Sequence, residues 1–505
     1  MFKFLIPNRN YILILLLIIS PTFDSWQDEE ETQFEDNSPS GHIQTVTSDG
    51  VCTLDKACQA LQIVSLLTRR ILSLEQPLWK ISSHNFRWPS CSNLKEGGPC
   101  NCTAQSLHVN CWRLSLHELP ATQTIPFDTA FLDLSSNKIQ AIHRHSFLRL
   151  SRLVQLDVSN NLLDYLPENL FESLESLKYL HLHQNNLDSL PSGIFRNLKN
   201  LEILDLSQNR LVSLPPSIWS PSPGIKSTLR VLQISQNFLK TWKDFSALRN
   251  LEELDLSGNF FQSVTPLQPL KKLKSLKLQD NQLTVINETT FHGLSSLEIM
   301  SLRQNRIEIL PPEIFKDLRN LENLDLSGNQ ITHINSSTFT GLSSAMLELN
   351  MAKNSLSILE NETFSKLNNL ARLSLHGNNL EVLEPGAFTG LTNLTWLQLG
   401  NNILTSVDPA LFLPTQNLKR LELNNNDLAF VGDEAFEHLH DLEIIKLEGN
   451  GWNCDCKILY VANWVRDHAS IVSSYSDDDA MKCRDPKEME GRPLREISFS
   501  DVCLE

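Results

Sequence analysis

Leucines and polar residues alternate along most of this chain in one nine-residue phrase, LxxLxLxxN; LEELDLSGN at 251–259 returns as LENLDLSGN at 321–329. Aligning the phrase places its asparagine at Asn137, Asn161, Asn185, Asn209, Asn237, Asn259, Asn281, Asn305, Asn329, Asn354, Asn378, Asn402, Asn426 and Asn450. Nine of the thirteen spacings are 24 residues, which chance does not produce and which marks a repeat array rather than a string of globular domains. The L-x-L centre predicts a short strand, since side chains alternate sides along extended backbone: Leu254 and Leu256 are expected inside, Asp255 outside. One rung cannot bury its leucines alone, so rungs must stack and pair their strands. The asparagine is expected to turn the chain at the strand's end, where its amide both donates to and accepts from backbone groups of adjacent turns.

The second half of each unit repeats too. Ten residues after the asparagine stands Phe147, Phe171, Phe195, Phe291, Phe315, Phe339, Phe364, Phe388, Phe412 or Phe436, with Trp219 in the equivalent place once. Such a stripe predicts a second buried column, not a cofactor box. The period breaks between Asn209 and Asn237, where the spacing grows to 28 through PPSIWSPSPGIKST, and the next two units shrink to 22. The four prolines of that loop point to a local bulge on the rim, with a partner contact or a change of curvature as the alternatives.

Composition adds the ends of the chain. Its 505 residues are 41% hydrophobic, enough for a large core. Lys3 and Arg9 precede the apolar run YILILLLIIS at 11–20. That run is short for a bilayer core of ~30 Å, so residues 1–25 are expected to be a removed export signal, an uncleaved signal anchor being the alternative. No later segment is long and apolar enough to span a membrane. The net charge of −16 is concentrated: nine acidic residues and no Lys or Arg lie between Arg9 and Lys56. Residues 26–50 are therefore expected to form an acidic disordered linker, a docking tail for a basic partner being the sharper alternative. In residues 51–90, LDKACQALQIVSLLTRRILSLEQ has helical apolar spacing and predicts a short segment before the first cap, either packed on it or a pro-segment. The sign of the charge argues against nucleic acid as a partner.

Ten cysteines, an even number behind an export signal, predict disulfides. Cys91, Cys100, Cys102 and Cys111 lie just before the first rung, Cys454, Cys456, Cys483 and Cys503 follow the last, and Cys52 and Cys58 stand upstream. The placement has a reason: a bare terminal rung exposes roughly a few hundred Å² of leucine, several kcal/mol at about 25 cal/mol per Å². Spacing alone permits three connectivities in each group of four. Zinc ligation competes, but zinc sites favour C-x2-C pairs and an exported chain is oxidised. Cys52 and Cys58 are expected to form a local disulfide, with an intermolecular bridge or free thiols as alternatives.

From about Cys91 to Cys503 the chain resembles the extracellular leucine-rich-repeat family, and its 24-residue unit is similar to those of Slit, chondroadherin, the acid-labile subunit of the growth-factor carrier complex and Toll-type receptor ectodomains. PCNCTAQSLHVNCWRLSLHELP resembles that family's N-terminal cap, and NGWNCDCKILYVANWV with Cys483 and Cys503 its C-terminal cap. The resemblance implies an α/β repeat fold: a curved solenoid of about 14 repeats over 121–449, a parallel sheet on its concave face, and disulfide-bonded caps at 91–120 and 450–505. It further implies the pairs Cys91–Cys102, Cys100–Cys111, Cys454–Cys483 and Cys456–Cys503, and protein binding as the use of the fold. Gly451 stands where the family often has proline.

No catalytic constellation survives inspection: G-x-S-x-G, H-E-x-x-H and a phosphate-binding glycine loop are all absent, so the chain is expected to be no enzyme and to need no cofactor or metal. Asp133, Asp157, Asp205, Asp255 and Asp325 resemble a carboxylate row but are the middle position of LDL. Outward positions of successive strands lie about 4.8 Å apart, so fourteen rungs offer a face on the order of 60 Å long. Residues there that leave the repeat's habits are the candidate ligand contacts: Tyr179, His181, His183, Arg230, Lys277, Arg303, Arg372, His376, Trp396 and Arg420, with Trp396 and Tyr179 foremost. His181 and His183 face one way between Asp157 and Asp205; the plain expectation is solvated histidines, the sharper one a metal site or a pH switch. Sequons stand at Asn101, Asn287, Asn335, Asn361 and Asn393; Asn287, Asn335 and Asn361 are expected on the return side of the arc, and Asn101, between cap cysteines, is expected to be the least accessible. The function expected is a secreted protein whose concave face grips an extracellular protein. A carrier or regulatory subunit of a secreted complex and a matrix or cell-adhesion protein are the rivals, and a homodimer is left open.

Overall fold

The computed structural model describes residues 100–503 apart from 104–106, 120–124, 217, 220–226, 243–244, 343–344 and 474–480. The export signal, acidic linker and pre-cap segment, with Cys52, Cys58 and Cys91, lie outside the described residues.

Sixteen three-residue strands run in chain order through one sheet, from Asn101–Thr103 to Ile444–Lys446. Asn101–Thr103 and His108–Asn110 form an antiparallel hairpin, and every later neighbour is parallel. Fourteen strands carry the L-x-L centre of the repeat. Their middle residues pair in unbroken register, Leu132 with Leu156, Leu156 with Leu180 and onward to Leu421 with Ile445, and all are buried. Residues on either side of each middle leucine face away from the core. The long unit leaves this register untouched: Ile203 pairs with Val231 across it. Part of the loop expected to bulge, 220–226, lies outside the described residues.

The repeat asparagines stitch the rungs together. Asn281 Nδ2 donates to Leu278 O of its own turn at 3.1 Å and to Leu256 O of the turn before at 3.0 Å, while its Oδ1 accepts from Phe261 N at 3.1 Å. The same set recurs at the other rungs through Asn450. All fourteen asparagines follow a residue in the left-handed region, with φ between 51° and 71°. Glycine holds that place in only four rungs (Gly258, Gly328, Gly377 and Gly449), and the rest accept a side chain there. The turn is therefore imposed by the stack, not by local preference alone.

The aromatic column lies behind the leucines. Phe147, Phe171, Phe195, Trp219 and Trp242 stack in turn, as do Phe291 through Phe364 and Phe388 through Phe436, at centroid spacings of 5.8 to 6.4 Å. In the first of the two shortened units, between Asn237 and Asn259, Trp242 and Phe245 enter the core from other offsets, their rings 4.8 Å apart.

Each end is closed covalently. The Cys100–Cys111 bridge ties the N-terminal hairpin, whose second strand pairs directly with Phe131–Asp133, so cap and rungs share one sheet. Cys102 is also disulfide-bonded; its expected partner Cys91 lies outside the described residues. At the other end, Cys454–Cys483 and Cys456–Cys503 hold the helix Leu459–Asp467 over the last rung, with Val461, Ala462, Trp464 and Val465 buried. Trp464 and Tyr460 reach Phe436 at 5.0 and 6.4 Å, so the lid continues the aromatic column. A Cβ at Gly451 would meet only the guanidinium end of the exposed Arg484 side chain, which can swing aside, so nothing in the structure requires glycine there.

Replacing Asn281 by Ala strands Phe261 N–H in a buried layer, while Leu256 O and Leu278 O each lose one of two donors and keep Asn259 Nδ2 and Asn305 Nδ2. At about 1–3 kcal/mol for the N–H left unpaired and about 0.5 kcal/mol for each further hydrogen bond lost, Asn281→Ala is expected to cost about 3 kcal/mol in chemical denaturation, against under about 0.5 kcal/mol for Thr284→Ala on the exposed flank.

Candidate functional site

The open face of the sheet is ruled into columns, because register places the same position of every rung side by side. Numbering the phrase L-x2-x3-L-x5-L-x7-x8-N, x3 and x5 are the outward strand positions. The aspartates of the x5 column serve the backbone: Asp133, Asp157, Asp205, Asp255 and Asp325 each accept the N–H of the serine two residues on, at 2.9 to 3.0 Å. The carboxylate row is thus a series of strand-end turns.

Four successive x3 positions at the C-terminal end, Arg372, Trp396, Arg420 and Ile444, form a continuous ridge. The Arg420 guanidinium carbon lies 4.8 Å from the Trp396 ring centroid. Beneath them Glu422, at x5, is only 5% exposed although it sits on an open face. It accepts from Arg420 Nε at 2.7 Å, Trp396 Nε1 at 3.3 Å and Gln398 Nε2 at 3.4 Å, and pairs with Lys446 Nζ at 3.3 Å. Burial pushes its carboxyl up, but the Arg420 hydrogen bond and the charges of Lys446 and Arg420 outweigh this and hold it below the ordinary value. Arg372 extends the ridge, anchored by Glu348 at 2.6 Å, and Ile444 is 39% exposed at its far end. Sequence reasoning missed Gln398, Glu422 and Lys446; the available signal was an acid at x5 with basic residues two places earlier and one rung later.

Toward the N-terminal end, Tyr179 and His181 project from the strand Tyr179–His181 and His183 follows just beyond its end, all three at positions that alternate with buried Leu180 and Leu182. His183 Nδ1 lies 3.1 Å from Asp205 Oδ2, and the two imidazoles meet edge-on with centroids 6.2 Å apart. The Asp205 carboxylate beside it raises the His183 pKa against the opposing effect of burial. His181, His183 and Asp205 bring three ligand atoms within 4.8 Å of one another.

The remaining candidates are dispersed. Arg230 occupies x2, in a column of alternating charge at the strand entry: Lys178 meets Glu202 at 2.8 Å, Arg230 meets Glu252 at 2.7 Å and Lys274 meets Glu252 at 3.7 Å. Its charge is matched within the fold. Lys277 stands 3.8 Å from Asp255, His376 contacts Asn401, and Arg303 is exposed. Among the sequons, Asn287, Asn335 and Asn361 are exposed. Asn101, on the strand at the sheet's edge, is exposed as well. Asn393 is the sequon residue whose Nδ2 is engaged, donating to Asn368 O at 3.0 Å.

Comparison with known proteins places this architecture. A leucine rich repeat family model matches 131–187, 176–227, 271–331, 319–380, 344–403, 368–428 and 392–451, and a second leucine rich repeat model matches 250–271. The chain belongs to the leucine-rich-repeat family. This leucine-rich-repeat protein is 41% identical over 68 residues to human leucine-rich repeats and immunoglobulin-like domains protein 2, a stretch that is 13% of this chain and 6% of that protein. The solved TLR13–ssRNA13 complex superposes over 74% of this chain and 57% of that one, with 26% identity and a TM-score of 0.60. The Drosophila Toll–Spätzle complex shares the fold, at 22% identity and a TM-score of 0.65 over 77% of this chain and 54% of that one. The chain thus spans little more than half the length of these two structures. Among the described residues, no helix is long and apolar enough to cross a membrane.

A carboxyl whose pKa is depressed on folding adds stability above its unfolded value, near 4.5 for Glu422, and loses it as pH falls through the lower folded value. The unfolding midpoint is expected to drop below that pH, and Glu422→Gln to flatten the drop. Thermal melts followed by circular dichroism between pH 7 and about pH 3 check this; parallel curves for the two proteins refute it.

Proposed function

We propose that this leucine-rich-repeat protein is an exported, non-catalytic recognition protein that binds an extracellular protein through the open face of its sheet, with the Arg372–Trp396–Arg420–Ile444 ridge as its anchor. The observation that carries this reading is the ridge's construction. Tryptophan and arginine dominate the energetics of protein interfaces, and here both are braced by a carboxylate that sits almost wholly out of solvent. Such bracing removes rotamer freedom before a partner arrives, so less is lost on binding.

The family is one of repeat scaffolds, and Toll is solved in complex with Spätzle. TLR13 is solved with a single-stranded RNA, but a net charge of −16 and acidic residues along x5 favour a protein partner here. Three disulfides among the described residues fit an oxidising compartment, the one an exported chain enters. Glycans at Asn287, Asn335 and Asn361 would coat the return side and leave the sheet face clear.

The test begins by crosslinking the secreted protein in its native fluid and identifying the partner by mass spectrometry. Trp396→Ala and Arg420→Ala are then each expected to weaken that partner's binding at least ~10-fold in surface plasmon resonance, with the circular dichroism spectrum unchanged. Wild-type affinity in both variants would remove the ridge from the interface.

A further inference from the structure

We propose that His181, His183 and Asp205 form a mononuclear site for a divalent transition-metal ion of the imidazole-preferring kind, with Zn²⁺ as its representative, on the open face of the sheet. Two geometric facts bring the three ligands together. The alternation of the strand Tyr179–His181 continues past its end, with Leu180 and Leu182 buried, which sets His181 and His183 on one side. Parallel register then sets Asp205 directly beside His181 on the next rung. The resulting ligand atoms all lie within 4.8 Å of one another, so an ion is reached by side-chain rotation without backbone movement.

The surroundings suit such an ion. His183 Nδ1 is shielded from solvent, and although Asp205 Oδ2 is 3.1 Å away, the contact is too poorly directed to count as a hydrogen bond. A cation between them would satisfy both atoms. The other carboxylate oxygen, Asp205 Oδ1, accepts the Ser207 N–H at 2.9 Å, an outer contact that fixes the carboxylate's orientation and leaves Oδ2 for the ion. Asp157 stands beside His181 on the opposite rung and adds negative charge. The strand backbones themselves are pinned by Leu180, Leu182, Leu204 and Leu206, all fully buried.

Two imidazoles and a carboxylate are a recurrent donor set for Zn²⁺, and three protein ligands leave one position of a tetrahedral shell open. Here that position lies on the open face of the sheet, where water or a donor atom from a bound protein would complete the shell. The ion would then act as a second recognition point on the same face as the arginine–tryptophan ridge, remote from it along the sheet.

Isothermal titration of Zn²⁺ into the chelator-stripped full chain at neutral pH tests the site. The wild type is expected to bind one ion that His181→Gln/His183→Gln loses, with affinity falling at least ~10-fold in Asp205→Asn. Zn²⁺ is also expected to raise the thermal midpoint of the wild type and leave that of the double variant unmoved. His181→Gln alone guards against misfolding, since His181 meets only the edge of the His183 ring at 6.2 Å among its described contacts, and it too is expected to weaken binding at least ~10-fold. Equal stoichiometry and affinity in wild type and double variant, or a wild type that takes up no Zn²⁺, overturns the proposal.

Discussion

The amide of the repeat asparagine is the interaction on which everything else in this molecule depends. A rung is a three-residue strand followed by a sharp left-handed turn, and the turn abandons backbone donors and acceptors in a layer closed to water. The asparagine supplies what the turn removes, donating to carbonyls of its own rung and the one before and accepting an N–H from that earlier rung. An aspartate lacks the donors, and a leucine lacks both functions. Because the amide bridges two rungs, it also fixes how they stack. Leucine burial, strand register and the spacing of the aromatic column follow from that constraint.

Fixed register turns the sheet into a lattice on which any two rungs present the same positions side by side. Most of that lattice is used for self-consistency: aspartates at x5 hold serine N–H groups, and x2 carries charges that pair along the column. Exposed pairs of this kind contribute little to stability, and their effect is to leave few unmatched charges for adventitious partners. The two clusters that depart from this pattern share a design. In each an x5 carboxylate, Asp205 or Glu422, engages side chains of a neighbouring rung and orients residues on the open face of the sheet.

The repeat, its strand positions, the facing of Leu254 and Leu256 and the phenylalanine column were all legible from periodicity, because each is a property of one unit seen many times. The caps were legible through resemblance to a family, and three of the implied cysteine pairs are present. Trp242, Phe245 and Tyr460 went unremarked as members of the aromatic column. Trp242 and Phe245 enter at offsets that a fixed ten-residue interval does not sample, and Tyr460 belongs to the lid. Arg230 stood among the candidate contacts without its ion pair being legible, since nothing in its own rung announces that Glu252 lies 2.7 Å away.

The division between sequence and structure follows the length of the repeat. Whatever is decided within one unit, from the direction of a leucine to the presence of a strand, is written in local order and needs no neighbours to be read. Contacts between rungs join residues 24 or so positions apart, and which partners meet depends on the exact register and on rotamers chosen under packing. The burial of Glu422 beneath Trp396 and Arg420 and the convergence of His183 on Asp205 are of that second kind. The chain's periodicity determined that this protein would have an ordered face. The stacking of rungs about 4.8 Å apart decided which side chains on it act together.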